Sequence, residues 1–161
     1  MPESYTFDPV GNRLTSPIAS NYVYNSSNEL TAAGGATYTY DNNGNILTKA
    51  NPAGTTTYTW DFENRLTSVQ QPGPTTVTFK YDPFWRRIQK GNSVYVYDGA
   101  NLIDEADLGG NLVARYVFGS GIDEPLAVSR GTSTEFYQAD GLGSITSFGA
   151  FEKLPLSASE E

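Results

Sequence analysis

Apolar and polar residues alternate along this chain in short bursts, and each burst runs into the same kind of turn. The stretch Tyr38-Thr39-Tyr40-Asp41-Asn42-Asn43-Gly44-Asn45-Ile46-Leu47-Thr48 carries the pattern in full. Tyr38 and Tyr40 lie two residues apart and share one face of an extended strand, as Ile46 and Thr48 do on the return. Aromatic and β-branched residues on both sides of a polar turn predict a hairpin. Asp41 can open the turn, because its carboxylate accepts a backbone N–H two residues on. Gly44 can close it in the left-handed conformation that ends a type I turn with a bulge. One such hairpin is marginal in water, so several must share a core.

The pattern recurs along the whole chain. Tyr5-Thr6-Phe7-Asp8-Pro9-Val10-Gly11 runs into Asn12-Arg13-Leu14, and Tyr22-Val23-Tyr24-Asn25-Ser26-Ser27-Asn28 into Glu29-Leu30-Thr31. Further copies open at Tyr58-Thr59-Trp60-Asp61, Phe79-Lys80-Tyr81-Asp82, Tyr95-Val96-Tyr97-Asp98 and Phe136-Tyr137-Gln138-Ala139-Asp140, with a weaker one at Tyr116-Val117-Phe118-Gly119. The second aromatic returns in irregular steps of about twenty residues, the spacing of one supersecondary unit per repeat. An all-β chain of repeated antiparallel β-hairpins, forming a twisted strip or β-spiral, is the fold this predicts.

The turns single out Asp8, Asn25, Asp41, Asp61, Asp82, Asp98 and Asp140 as openers. Three residues further on stand Gly11, Asn28, Gly44, Asn64, Asn101 and Gly143, and Gly and Asn are the residues that tolerate positive φ most readily. After Asp82 that place is held by Trp85. A left-handed tryptophan carries strain of about a kilocalorie or more, so a different loop is predicted there and Trp85 becomes a candidate exposed aromatic. Gln70-Gln71-Pro72-Gly73-Pro74 reads as a longer loop, since clean alternation resumes at Thr75. Residues 94 to 118 read as a further meander with a turn at Leu108-Gly109-Gly110-Asn111. Residues 100 to 107 invite a helical reading but are too few to prefer one. The repeat ends near Phe148, which predicts a hairpin array over residues 1–150 and a tail over residues 151–161.

The Tyr-x-Tyr-Asp-x-x-Gly-Asn/Arg-Leu unit resembles the YD repeat of Rhs proteins, a repeat also found in wall-associated bacterial proteins, insecticidal toxin complexes and teneurins. Tyr81-Asp82-Pro83-Phe84-Trp85-Arg86-Arg87-Ile88, Tyr97-Asp98-Gly99, Gly119-Ser120-Gly121-Ile122-Asp123-Glu124-Pro125-Leu126 and Tyr137-Gln138-Ala139-Asp140-Gly141-Leu142-Gly143-Ser144 resemble, in order, the region leading into the Rhs-associated core. The resemblance runs over residues 5 to 148, with Trp85 standing where the family usually has Gly, and the chain stops where further repeats and the core end would follow. It implies a non-enzymatic structural module, a segment or short relative of a β-shell that encloses a toxin, in a secreted or cell-surface parent. About eight hairpins make too little sheet to enclose a folded partner alone, since each strand adds under about 5 Å.

Composition narrows the partners. A net charge of −8 and a pI near 4.4 disfavour nucleic acid and other polyanions, whose affinity comes largely from Lys and Arg. Arg13, Arg65, Arg86 and Arg87 follow turns, where cross-strand pairing with Asp or Glu is the expectation. A hydrophobic fraction of 38% with many Thr, Asn and Ser suits a sheet with one polar face. Cys and His are both absent, which excludes disulfides, thiolate sites and the commonest general base and metal ligand. No apolar run is long enough for a signal or a membrane span.

Three constellations touch on chemistry. Asp104, Glu105 and Asp107, with Asp123 and Glu124, offer oxygen ligands but lack EF-hand or RTX spacing, so a solvated acidic loop is expected and no metal or cofactor. Rhs relatives can release a toxin by aspartic self-cleavage near an Asp-Pro-x-Gly segment. Asp8-Pro9-Val10-Gly11 matches those letters, yet it sits in a hairpin turn and the core motifs for that reaction are missing, so a self-cleaving peptidase fragment remains an alternative only. No Gly-x-Ser-x-Gly elbow occurs, and Gly141-Leu142-Gly143-Ser144 is a turn rather than a phosphate cradle. The alternating aromatics either form the seam between hairpins or present a platform for glycans; packing is the expectation and a carbohydrate-binding surface module the alternative. The end hairpins of such an array expose unpaired backbone, so partners are expected in the rest of a larger shell or in a second copy paired edge to edge.

Overall fold

The computed structural model describes residues 4–150, and among these every regular element is a β-strand. The predicted tail, residues 151–161, lies outside the described residues. The chain divides after Lys80 into two compact units.

The first unit begins with a two-stranded hairpin, β1 (Thr6–Phe7) and β2 (Arg13–Thr15). A seven-strand antiparallel meander follows in chain order: β3 (Val23–Tyr24), β4 (Leu30–Ala33), β5 (Ala36–Tyr40), β6 (Ile46–Asn51), β7 (Gly54–Trp60), β8 (Leu66–Gln70) and β9 (Thr76–Tyr81). The Gln70 to Pro74 cluster is the loop between β8 and β9, closed by the Gln71 N–H on the Thr75 carbonyl at 3.0 Å.

The second unit is a meander of β10 (Arg87–Lys90), β11 (Ser93–Asp98), β12 (Asn101–Ala106), β13 (Leu112–Phe118), β14 (Pro125–Arg130), β15 (Ser133–Ala139) and β16 (Ile145–Gly149). The segment 100 to 107 that invited a helical reading is strand β12. Leu102 and Ile103 are half-buried in the sheet, and eight residues supply too few intrahelical bonds to compete with two cross-strand ladders.

Alternation decides which residues face which way. In β5 and β7 the aromatics Tyr38, Tyr40, Tyr58 and Trp60 are half-buried, and the threonines between them are exposed. Thr39, Thr48 and Thr57 stand opposite one another across three strands of the exposed face, with Thr39 and Thr48 hydroxyls 2.7 Å apart. Full burial is rare: among the described residues the buried hydrophobics are Ala36, Ala114, Ala127 and Val128. Three of these belong to β13 and β14, so the middle of the second unit is its best-packed part.

One register recurs at the turns. The residue before the opener pairs with the residue five places after it: Phe7 with Arg13, Tyr24 with Leu30, Tyr40 with Ile46, Trp60 with Leu66, Ala106 with Leu112 and Ala139 with Ile145. Each carries a register shift, the mark of one extra residue on the returning strand.

Candidate functional site

The recurrent turn is built by a single side chain. At Asp41, one carboxylate oxygen accepts the N–H groups of Asn43 and Asn45, both at 2.9 Å, while the other accepts Asn45 Nδ2 at 2.9 Å. The Asp41 N–H donates to the Asn45 carbonyl at 2.9 Å and the Gly44 N–H to the Asp41 carbonyl at 3.1 Å. All of this is closed within five residues, so the turn can form before any tertiary contact exists.

The same set of bonds stands at Asp8 with Asn12, at Asp61 with Arg65 and at Asp82 with Arg86. Arg65 and Arg86 therefore pair with the aspartates of their own turns, at 2.8 and 2.7 Å, and Arg86 also donates to the Gly99 carbonyl of the next hairpin. Arg13 and Arg87 lie over the rings of Tyr5 and Tyr95. At Asn25 the polarity inverts: its amide oxygen accepts the Ser27 and Glu29 N–H groups, and its Nδ2 donates to the Glu29 carboxylate. Asp140 accepts the Leu142 and Ser144 N–H groups at 2.9 and 3.0 Å.

In four of these turns the bonds hold the carboxyl, that of Asp8, Asp41, Asp61 or Asp82, below the usual carboxylate range. At Asp41 the Asn45 amide is the main cause, helped by the backbone donors. At Asp8, Asp61 and Asp82 partial desolvation pulls upward, but the donors from the residue four places on and from the backbone together outweigh it.

The closing position is left-handed at Gly11 (φ 92°), Asn28 (60°), Gly44 (83°), Asn64 (60°) and Gly143 (83°). Trp85 joins them at φ 67°, with its N–H on the Asp82 carbonyl at 3.1 Å. This corrects the expectation of a different loop: the Asp82 carboxylate, with three donors from Phe84 and Arg86, imposes the common turn on a residue that disfavours it. Trp85 is 60% exposed, and the neighbouring apex residues Phe84 and Phe62 are 77% and 91% exposed in their turns.

Asn101 departs from the expected role. It lies in β12 opposite Asp98, and the two-residue turn between them takes its positive φ (56°) from Gly99. A glycine directly after the opener allows the tighter hairpin, which leaves no third position to fill.

Two turns of the common kind have no aromatic directly in front of the opener: Asp140 follows Ala139 and Asp107 follows Ala106. Asp107 accepts the Gly109 and Asn111 N–H groups and the Asn111 amide, and Gly110 closes at φ 83°. Its letters, Asp-x-x-Gly-Asn, match Asp41 to Asn45, and that spacing alone was the signal for it. The remaining acidic residues are taken up singly: Asp104 forms a two-bond pair with Arg115, at 2.8 and 3.0 Å, and Glu124 accepts the Gly121 N–H at 2.9 Å. Among the described residues no three carboxylates gather where they could hold a metal ion.

Neighbouring hairpins are joined by the aromatic in front of the opener. The Tyr24 hydroxyl donates to the Arg13 carbonyl (3.0 Å), Tyr40 to Leu30 (2.7 Å), the Trp60 indole N–H to Ile46 (2.8 Å) and Tyr97 to Arg87 (3.0 Å). In each case the acceptor is the residue five places after the preceding opener. A second link runs between the turns themselves, from Asn12 Nδ2 to Asn28 Oδ1 (3.1 Å) and from Asn43 and Asn45 Nδ2 to Asn64 Oδ1 (3.0 and 2.8 Å). In these four units the aromatic before the opener is thus a seam, its ring on the half-buried face and its polar atom latching the previous hairpin.

The model of the Teneurin YD-shell family matches residues 1–95. The chain belongs to this family. The YD-shell repeat is an all-β array of antiparallel hairpins, and the Tyr-Asp pair that gives the repeat its name is here the latch and the turn opener side by side. Among solved structures, that of TcdB2-TccC3-Cdc42 aligns with 13% identity over 87% of this chain and 9% of the other, at a TM-score of 0.48. That of TcdB2-TccC3-TEV aligns with 15% identity over 87% and 8%, also at 0.48. The chain spans less than a tenth of the length of either. No curated protein matches it. As a YD-shell module the chain is a structural repeat unit.

Proposed function

We propose that this chain is a non-enzymatic wall segment, acting with the rest of a larger YD shell or with a second copy of itself, in a parent protein that is secreted or displayed at the cell surface. Residues 1–150 are its repeat array and residues 151–161 a tail. The turn positions from Asp8 to Gly143 serve as architecture rather than chemistry. The observation that carries this reading is the latch: four Tyr or Trp donors, each reaching the carbonyl five places after the preceding opener, use the aromatic ladder to join hairpins. A donor hydrogen committed to a neighbouring carbonyl is not available to a ligand, and the carboxylates of Asp8, Asp41, Asp61, Asp82, Asp107 and Asp140 each spend one oxygen on two backbone donors of their own turn.

Light scattering after size exclusion tests it. A wall segment with open strand edges is expected to self-associate as its concentration rises. A monomer over the whole range would overturn the reading in favour of a free-standing module. The intact mass is expected to stay constant over days; two fragments summing to the chain would reveal a self-cleaving peptidase instead.

A further inference from the structure

We propose that Asn43 is a site of spontaneous deamidation, held off in the folded protein by the Asp41 turn and by the amide of Asn64. Asn43–Gly44 is the only Asn-Gly step in the sequence. An asparagine side chain can be attacked by the backbone nitrogen that follows it, and glycine, having no Cβ, leaves that nitrogen unshielded. The turn itself asks only for the glycine: in other turns closed by glycine the residue before it is Val10, Gly109 or Leu142. The amide at position 43 is therefore a feature of this hairpin and not of the repeat.

The reaction consumes water and nothing else. The Gly44 nitrogen gives its proton to water or hydroxide and forms a bond to Asn43 Cγ; the Cγ–Nδ2 bond breaks, and Nδ2 leaves as ammonia. Water then opens the cyclic imide at either of its carbonyls. Release of the Gly44 nitrogen from Cγ gives aspartate, and release from the main-chain carbonyl gives isoaspartate, with the chain running on through Cγ. Asn43 and Gly44 are both exposed, so water reaches them.

The folded turn opposes the attack. The Gly44 N–H is engaged on the Asp41 carbonyl at 3.1 Å, which disfavours its ionisation. The Asn43 N–H is fixed on an Asp41 carboxylate oxygen at 2.9 Å, which restrains the backbone between the side chain and the nucleophile. Asn43 Nδ2, the leaving group, donates to Asn64 Oδ1 at 3.0 Å and ties the side chain to the next hairpin. A Cβ on Gly44 would stand 3.5 Å from Glu29 Oε1, and a carboxylate beside the nitrogen opposes its anion. Modification therefore waits for the turn to open, an event set by local rather than global stability.

Either product weakens the joint between the two hairpins. An aspartate sets a carboxylate oxygen against Asn64 Oδ1, acceptor against acceptor, where a donor stood. Isoaspartate lengthens the backbone inside a turn closed by short-range bonds. Asn45 Nδ2, at 2.8 Å, is then the remaining side-chain donor to Asn64.

The test incubates the full chain at mildly alkaline pH, folded and in guanidinium chloride, with peptide mapping by mass spectrometry to read the amide-to-acid exchange at each asparagine. In denaturant Asn43 is expected to react fastest, and folding should slow it well below that rate. Asn64→Gly, which removes the acceptor, should raise the folded-state rate about three- to tenfold, the worth of one hydrogen bond in the opening equilibrium. Asn64→Asp, which keeps an acceptor oxygen, should stay near the parent. Tyr97→Phe, which loses a single hydrogen bond in the other unit, should leave the rate unchanged and so separates local from global opening. A rate in denaturant no higher at Asn43 than at the other asparagines overturns the proposal, as does a folded-state rate equal to the denatured one. Equal rates in the parent and Asn64→Gly, or an equal rise in Tyr97→Phe, overturn it too. The wall-segment reading rests on the latches and stands apart from every one of these outcomes.

Discussion

The indole N–H of Trp60 meets the carbonyl oxygen of Ile46 at 2.8 Å, fourteen residues back along the chain and one hairpin away. Tyr40 does the same to Leu30 across ten residues at 2.7 Å. Phenol and indole differ in shape, yet each places a polar hydrogen at the far edge of a ring that lies on the half-buried face. The repeat therefore asks for an aromatic donor rather than for tyrosine as such. Phenylalanine would fill the same seam and leave the carbonyl unmet.

Tyr40→Phe should lower stability by about 0.5–1.5 kcal/mol, the net value of one hydrogen bond, because it removes a hydroxyl and little else. Tyr38→Phe, two residues earlier on the same face, should stay within about 0.5 kcal/mol of the parent. Urea midpoints of the two variants give the comparison; equal losses would mean that ring packing alone joins the hairpins.

Trp85 holds a left-handed backbone that its equivalents give to Gly or Asn. Trp85→Asn should raise stability by about 0.5–1 kcal/mol as that strain is relieved, less the contacts the indole makes. Thermal unfolding of the variant reads the sign. A fall in midpoint would mean that the indole contributes more than its backbone strain costs.

Asn64 combines two duties, a left-handed backbone at φ 60° and an amide oxygen that accepts from both Asn43 and Asn45. Asn64→Gly keeps the first and removes the second, so it should destabilise by about 1 kcal/mol although glycine suits the φ better. Asn43→Ala in the Asn64→Gly background should then cost less than Asn43→Ala alone, a coupling that a double-mutant cycle measures.

Acid should loosen the turns. The carboxyls of Asp8, Asp41, Asp61, Asp82 and Asp107 all lie below their ordinary value, in Asp41 and Asp107 chiefly through the amide of the asparagine four places on. Their stabilisation is complete above the unfolded pKa near about 3.9 and is lost as pH falls below it through the folded values. Denaturant midpoints should hold from pH 7 to about 5 and drop steeply below about 4. Asp41→Asn, whose amide oxygen can still accept the backbone donors as Asn25 does, should show a shallower drop.

Much of this protein is written in windows of about five residues. An aspartate, two free positions, a residue that accepts positive φ, and a side chain that reaches back are enough to close each turn, and the flanking alternation orients its strands. That is why the hairpins at Asp8, Asn25, Asp41, Asp61 and Asp140, and the turn at Leu108 to Asn111, are legible without coordinates. The tighter turn after Asp98 follows from Gly99 for the same local reason.

The partners of the aromatics belong to the tertiary structure. A tyrosine hydroxyl selects its acceptor ten to fourteen residues away, through a register that only the assembled sheet supplies, and nothing near Tyr24, Tyr40, Trp60 or Tyr97 marks it as a donor rather than a ring. Trp85 makes the same point in reverse. Local preference argues against the turn it adopts, and three hydrogen bonds to Asp82 decide the matter. Sequence by itself determined the hairpins, because their bonds close within a few residues; the way they latch to one another depended on contacts that exist only once neighbouring hairpins are packed.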